Sequence, residues 1–456
     1  MSPSGPACRA PSVSLYLDPL GVVRPCCVNP FYVLGRIGES TLAEIWHGQQ
    51  TEELRARLEV GDMSGGCDAC RPAPGSDDAD GSFARTFDDL PLEGAPPDTA
   101  WPAQLELALS NTCNLQCTMC TGTLSSAIRA GREGLDPLPT VYDDDFFRQL
   151  TPFLAHVQRI SFLGGEPLLA RETWRVVALL AEVGNRPRLQ VTTNGTIWGP
   201  RVERLLDDHP TDVVVSVDAV DPDLMRSIRV GIDPDRVLRN LPRFRDRARA
   251  QGGSLAIAHC LMVESWPDLR AVLALADDLD VDVFLNDVTW PAASAYWALE
   301  GHERERILAA LRRQEADGPV LGRNAGVWDE ALQRIAALPD AVAVSIPDPV
   351  RRIGPPVVLV VDGQHQLVRV DPDPGDVFGV DLTPVLGRPV GEWREPFHAV
   401  HGPLRRSQVQ RGEGGGEVWT LEVGSDDDAR LLRAEYRPEV LGGGTWELTL
   451  GEAQMS

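Results

Sequence analysis

"LELALSNTCNLQCTMC", residues 105–120, runs an apolar strand directly into three cysteines. Leu105, Leu107, Ala108 and Leu109 give it the composition of a strand covered on both faces. The pattern recurs downstream. Apolar runs of strand length follow at "RISFLG", "LQVTTN", "DVVVSVD", "LAIAHCLMV" and "DVFLND". Helical patterns separate them, among them "FFRQLTPFLAHV", "TWRVVALLAEV" and "VLRNLPRFRDRARA". Strand–helix alternation with doubly covered strands predicts an α/β fold with a parallel sheet or barrel. Six βα units fit residues 101 to about 290, with "HERERILAALRRQ" and "VWDEALQRIAAL" as trailing helices.

At 456 residues the chain is too long for one ordinary core, and further domains are expected on both sides. Residues 1–75 hold five of the nine cysteines. There, "SVSLYLDPLGVVRPCC" reads as two short strands around a turn at Pro19–Gly21. "TLAEIWHGQQTEELRARLEVG" reads as helix capped by Thr41. Residues 71–100 are rich in Pro, Gly and Asp, and we place a linker over 76–100. The central α/β domain is set at 101–345. Residues 350–456 read as a small α+β domain. In it, "PPVVLVVDGQHQLVRV" predicts a hairpin turning at Asp362–Gly363. "EVWTLEV", "RLLRAEYRP" and "TWELTL" are further strand candidates.

Net charge is −24, and all 43 residues counted as Lys or Arg are arginine. An acidic surface argues against nucleic acid or an anionic membrane as partner. The lack of lysine excludes Schiff-base lysine chemistry and a lysine-bearing phosphate loop. No run of ~18 apolar residues is present, and the first residues lack the pattern of a signal peptide, so a cytoplasmic location is expected. An odd number of clustered cysteines disfavours a disulfide framework and points to metal or redox chemistry.

Cys113, Cys117 and Cys120 are spaced C-x3-C-x2-C. Three thiolates in one loop can hold three corners of a [4Fe–4S] cluster, leaving one iron open to a small molecule. Zinc is the alternative, but it wants four ligands. Four further motifs follow in order. "GGEP" (Gly164, Gly165, Glu166 and Pro167) ends the second strand, and "TTNG" (Thr192, Thr193, Asn194 and Gly195) ends the third. "SVD", from Ser216 to Asp218, closes the fourth, and Arg229 stands in "MRSIRVG". Ligand sites in parallel β/α folds gather at that edge of the sheet.

In these motifs the chain resembles the radical SAM superfamily, whose fold is a partial (β/α)6 barrel. The resemblance implies that Cys113, Cys117 and Cys120 hold a [4Fe–4S] cluster that binds S-adenosylmethionine. It places Gly164, Gly165, Glu166, Thr193, Asn194, Ser216, Asp218 and Arg229 around that cofactor. Glu166 would face its amino group and Arg229 its carboxylate. Met119 stands where the family usually has an aromatic residue near the adenine. Reductive cleavage would give a 5′-deoxyadenosyl radical that abstracts hydrogen from a substrate. A flavodoxin or ferredoxin would serve as electron donor.

Cys8, Cys26, Cys67 and Cys70 form a second set. With the "TLAEIWHG" helix between them, they resemble a twitch domain, the shortened relative of SPASM domains, here placed ahead of the barrel. That resemblance implies an auxiliary [4Fe–4S] cluster. Structural zinc is the alternative, and Cys27 competes with Cys26 as ligand. Enzymes of this kind often mature ribosomal peptide precursors, which makes a peptide the expected substrate. The other readings are epimerisation or oxidation of a small natural product, with Cys260 as hydrogen donor, and a non-catalytic sensor of SAM or redox state. His259 and Asn286 lie near predicted strand ends, where a structural role is expected for both. The opening of residues 350–456 is similar to a PAS domain.

Overall fold

The computed structural model describes residues 7–29, 32–63, 66–67, 70, 83–91, 100–288, 294–296, 299 and 301–337. Beyond these it describes the backbone of six strands between 357 and 453. The chain divides into two compact units.

The first unit is built on a nine-stranded sheet. Its N-terminal part supplies α1 (Ala10–Val13), β1 (Ser14–Leu17), β2 (Val22–Arg24), β3 (Gly35–Arg36), α2 (Leu42–Trp46) and α3 (Gln49–Glu59). β1 and β2 pair antiparallel around the expected turn, with Leu17 opposite Val23. Asp18 closes that turn by accepting from the amides of Leu20 and Val22.

The predicted helix over 41–61 is two helices. Thr41 caps α2 through a full capping box with Glu44. Gly48 then adopts an extended conformation and starts α3. A Cβ there would sit 2.6 Å from the Glu44 carbonyl oxygen, so the bend needs glycine.

From residue 104 the βα series unfolds as expected. β4 (Gln104–Leu107), the short β5 (Gln116–Cys117), α4 (Ser126–Gly131) and α5 (Asp144–Leu154) lead to β6 (Arg159–Phe162). α6 (Arg171–Val183), β7 (Arg188–Thr193), α7 (Pro200–Asp208) and β8 (Thr211–Ser216) follow. Then come α8 (Pro222–Ile228), β9 (Arg229–Val230), α9 (Pro234–Ala250), β10 (Ser254–Leu261), α10 (Leu269–Asp278) and β11 (Asp282–Asp287). α11 (Gly301–Asp317) and α12 (Ala325–Ala337) trail.

The helices carry the signals that start them. Asp143, Asp221 and Asp233 cap α5, α8 and α9, and proline opens α7, α8 and α9. β4, β6, β7, β8, β10 and β11 are all parallel, the parallel sheet that the strand–helix alternation predicts. One face, through Leu105, Ile160, Leu189, Val191, Val213 and Ile257, is fully buried.

β1 adds in parallel to the edge strand β4, with Tyr16 beside Glu106. The N-terminal strands therefore extend the central sheet, in the order β11-β10-β8-β7-β6-β4-β1-β2-β3. β5 and β9 form a separate two-stranded ladder that places Cys117 opposite Arg229. Phe83–Phe87 is a 3-10 turn inside the stretch whose composition reads as a linker. It buries Phe87 and Leu90 against Cys26 and Ala103.

In the second unit, β12 (Val357–Val361), β13 (Leu367–Asp371), β14 (Leu404–Arg411), β15 (Glu417–Val423), β16 (Arg430–Pro438) and β17 (Trp446–Ala453) form one antiparallel sheet. β12 and β13 pair as the expected hairpin, and the turn at Asp362–Gly363 lies outside the described residues. β14 was not legible in the sequence. The likeness of this segment to a PAS domain gains no support from these strands. No helix among the described residues is long and apolar enough to cross a membrane.

Candidate functional site

Four loops meet at the C-terminal edge of the parallel strands. The cysteine loop leaves β4, and the "GGEP" loop leaves β6 directly beside it. Gly165 N donates to Ser110 O at 3.2 Å, and Glu166 N to Thr112 O at 2.7 Å. The glycines are there for this contact. A Cβ on Gly165 would lie 2.4 Å from Thr112 O, and one on Gly164, at φ +98°, would lie 2.9 Å from Ser110 O. What their missing side chains admit is the backbone of the cysteine loop.

Glu166 ties the same loop to β7. It is wholly buried. Its carboxylate accepts from Thr193 Oγ1 at 2.8 Å, Asn194 N at 2.7 Å and Leu168 N at 3.1 Å. Burial pushes its pKa up to about 7, against the pull of those donors.

Further ties fix the cysteine loop. Asn194 Nδ2 donates to Asn114 Oδ1 at 2.9 Å, and Asn114 Nδ2 donates to Thr196 Oγ1 at 3.1 Å. Cys113 N donates to Ser126 Oγ at 3.1 Å, and Ser125 Oγ donates to Leu115 O at 2.7 Å. Asn111 Nδ2 holds Gly122 O at 2.8 Å. Asn114, Thr196, Ser125, Ser126 and Asn111 were not singled out in the sequence. Each is a common surface residue type, and only its partner in the fold marks it.

None of Cys113, Cys117 and Cys120 is in a disulfide. Burial raises the pKa of Cys113 and Cys117, while the Arg229 guanidinium lowers that of Cys117. Arg229 forms a buried ion pair with Asp218 at 2.7 Å and donates from Nη1 to Cys117 Sγ at 3.8 Å. Asp218 Oδ1 also accepts from Cys260 N at 2.8 Å. Burial, and after it the Asp218 charge, pushes the Cys260 thiol up to about 12. Met119 and Cys260 pack on one apolar cluster of Ile228, Met262 and Val288.

The register puts Thr192, Ser216, Cys260 and Asn286 on the sheet face opposite the buried one. Phe284 stands on that face, 41% exposed. His259 points the other way. It is wholly buried, its Nδ1 against Val217 O, and burial lowers its pKa. Thus the "SVD" strand, Arg229 and Cys260 come together with the cysteine loop.

The second cysteine set lines one pocket, with Cys8, Cys26, Cys67 and Cys70 on its wall. Phe83 and Phe87 complete the wall, so the residues read as linker help enclose it. Asn29 Nδ2 donates to Cys67 Sγ at 3.2 Å, and Ala10 N to Cys8 Sγ at 3.4 Å. Burial raises the Cys8 pKa to about 11 and raises that of Cys26 further. Cys27 is not on this wall. Its thiol and amide both donate to Glu106, a buried carboxylate pushed up to about 7 by burial. Cys26 thus lines the pocket and Cys27 does not.

The donor sets fit iron–sulfur clusters. Apolar, high-pKa thiols ionise only when a bound cation compensates them. Thr118 Oγ1 and Arg229 Nε are buried at the cysteine loop without a hydrogen-bond partner, as groups facing a ligand would be.

Residues 107–275 match the model of the radical SAM superfamily, and residues 8–71 match that of an iron–sulfur cluster-binding domain, SPASM. Among similar proteins is a GTP 3′,8-cyclase of Mycobacterium ulcerans, 34% identical over 122 residues, which are 26% of this chain and 31% of that protein. A probable GTP 3′,8-cyclase of Methanocaldococcus jannaschii is 26% identical over 175 residues, 36% of this chain and 53% of that protein. The chain thus spans about a third to a half of these relatives' length. Of solved structures, SuiB of Streptococcus suis is 20% identical, with TM-score 0.34, over 51% of this chain and 47% of that one. The structure of anSMEcpe with bound AdoMet is 16% identical, with TM-score 0.34, over 48% of this chain and 62% of that one. Radical SAM domains work with a [4Fe–4S] cluster and S-adenosylmethionine, and SPASM domains with a further cluster. The chain thus carries a radical SAM domain over residues 107–275, with an iron–sulfur SPASM domain ahead of it over residues 8–71.

Proposed function

We propose that the chain is a radical SAM enzyme whose substrate is a ribosomally made peptide precursor. The observation that carries the radical chemistry is the gathering of Cys113, Cys117 and Cys120 with the "GGEP", "TTNG" and "SVD" loops at one sheet edge. Cys113, Cys117 and Cys120 hold the SAM cluster, and Cys8, Cys26, Cys67 and Cys70 the auxiliary one. The chemistry supplied at this site is one-electron reductive cleavage of SAM, giving a 5′-deoxyadenosyl radical that takes a hydrogen atom from the substrate.

The chain's own residues do the positioning. Gly164 and Gly165 seat the cysteine loop, and Glu166 locks that assembly to Thr193 and Asn194. Met119 and the open face with Thr192 and Ser216 offer the space beside it. A flavodoxin or ferredoxin would deliver the electron in the cytoplasm. The peptide reading is supported by the SPASM domain. The end strands β13 and β14 of the second unit would suit a precursor added as a further strand. Anaerobically reconstituted protein with SAM and a strong reductant should release 5′-deoxyadenosine, and the Cys113→Ala/Cys117→Ala/Cys120→Ala variant should not. Equal product from both would sink the assignment.

A second reading is favoured by the place of Cys260. Its thiol and amide both bond Asp218, beside Arg229 and Met119. There it would give its S–H hydrogen atom to a substrate radical in an epimerisation, leaving a thiyl radical to be re-reduced by the electron donor. Under that reading Cys260→Ala keeps 5′-deoxyadenosine formation but loses solvent deuterium from the product. Retained deuterium would refute it.

A further inference from the structure

Arg229 has a near partner that the family resemblance does not give it. The β5–β9 ladder sets Arg229 and Cys117 as Cα partners. Nη1 donates to Cys117 Sγ at 3.8 Å, and Nη2 pairs with Asp218 Oδ2 at 2.7 Å. The two side chains are 8% and 0% exposed. Asp218 is itself fixed to β10 by Cys260 N. The guanidinium is thus held with one arm on a carboxylate and the other on a cysteine sulfur, shielded from water.

We propose that Arg229 is a positioning residue that sets the reduction potential of the cluster held by Cys117, with Asp218 aiming it and moderating its charge. The inference rests on the cluster assignment made above. A reduced cluster carries one more negative charge than an oxidised one. A hydrogen bond and a positive charge at a ligand sulfur stabilise that reduced form, and both act strongly where burial lowers the dielectric. Asp218 acts with the opposite sign. The pair lets an arginine sit beside the cluster without leaving a buried charge uncompensated.

The test is an EPR-monitored redox titration of the reconstituted full chain, without SAM, for wild type, R229Q, R229K, D218N and R229Q/D218N. SAM binding is measured alongside for each protein. R229Q should move the potential of the SAM-responsive cluster to more negative values, and D218N to less negative ones. R229K should fall between wild type and R229Q, because one ammonium replaces a forked donor. The double variant removes the orphaned carboxylate that R229Q leaves buried, and it should still titrate below wild type. The auxiliary cluster should titrate unchanged throughout.

An unchanged potential in R229Q and the double variant, with the cluster intact, overturns the proposal. So does a shift of the same sign in R229Q and D218N. Loss of SAM affinity at an unchanged potential would return Arg229 to the cofactor carboxylate. Wild type that assembles no SAM-responsive cluster would refute the assignment of function, which is a separate failure.

Discussion

Gly165 shows how one residue holds the site together. Its Cβ position is occupied by Thr112 O and the Asn111 backbone. Gly165→Ala should force the cysteine loop away at a cost of about 1–3 kcal/mol. Iron content should then fall by roughly half, if each set holds one four-iron cluster. Iron quantitation checks this, and full iron in the variant would contradict it. The two adjacent cysteines separate in the same assay. Cys26→Ser should lose the auxiliary iron, because Cys26 lines the pocket. Cys27→Ser should keep it, because that thiol is bound to Glu106.

Glu106 also carries a pH signature. Burial raises its pKa from 4.5 to about 7 in the folded state, so the native state binds the extra proton between those values. Below pH 4.5 both states are protonated, and stability falls as pH rises toward 7. Denaturant midpoints across pH 5–8 should fall in wild type and stay flatter in Glu106→Gln. At this scale the cysteines and the "GGEP" loop were legible. What the glycines clear, and the ties made by Asn114 and Ser126, were not, because each partner lies on another loop.

Among the elements, the six parallel strands could be read directly, since strands buried on both faces must be apolar runs. The α2–α3 break could have been read from Gly48. The union of β1 with β4 could not. Edge pairing joins residues about 90 positions apart, and neither strand's composition names its neighbour. β5 and β9, two residues each, are too short to show a period, yet they place Arg229 on Cys117. The capping box on α2 gives a direct check. Thr41→Ala removes one orphan-donor partner and should cost about 1 kcal/mol in chemical unfolding. A change near zero would mean that α2 is held by Leu42, Ile45 and Trp46 alone.

For the whole molecule, the proposed cluster sites would also act as staples. The N-terminal segment brings its thiols from just before α1, the end of β2 and the segment after α3 into one pocket, with the Phe83–Phe87 turn against it. Ligands that bind only the folded state stabilise it. Anaerobic chelation of the iron should therefore lower the melting temperature of wild type by several degrees, and that of Cys26→Ser by less. The central claim is that the Cys113–Cys120 loop carries a cluster with an iron open to SAM. EPR spectra of the reduced protein, taken before and after SAM is added, test it most directly. One of two cluster signals should change on addition, and this signal should be missing from Cys113→Ala/Cys117→Ala/Cys120→Ala. Signals that ignore SAM, or a SAM response that survives in the triple variant, would contradict it.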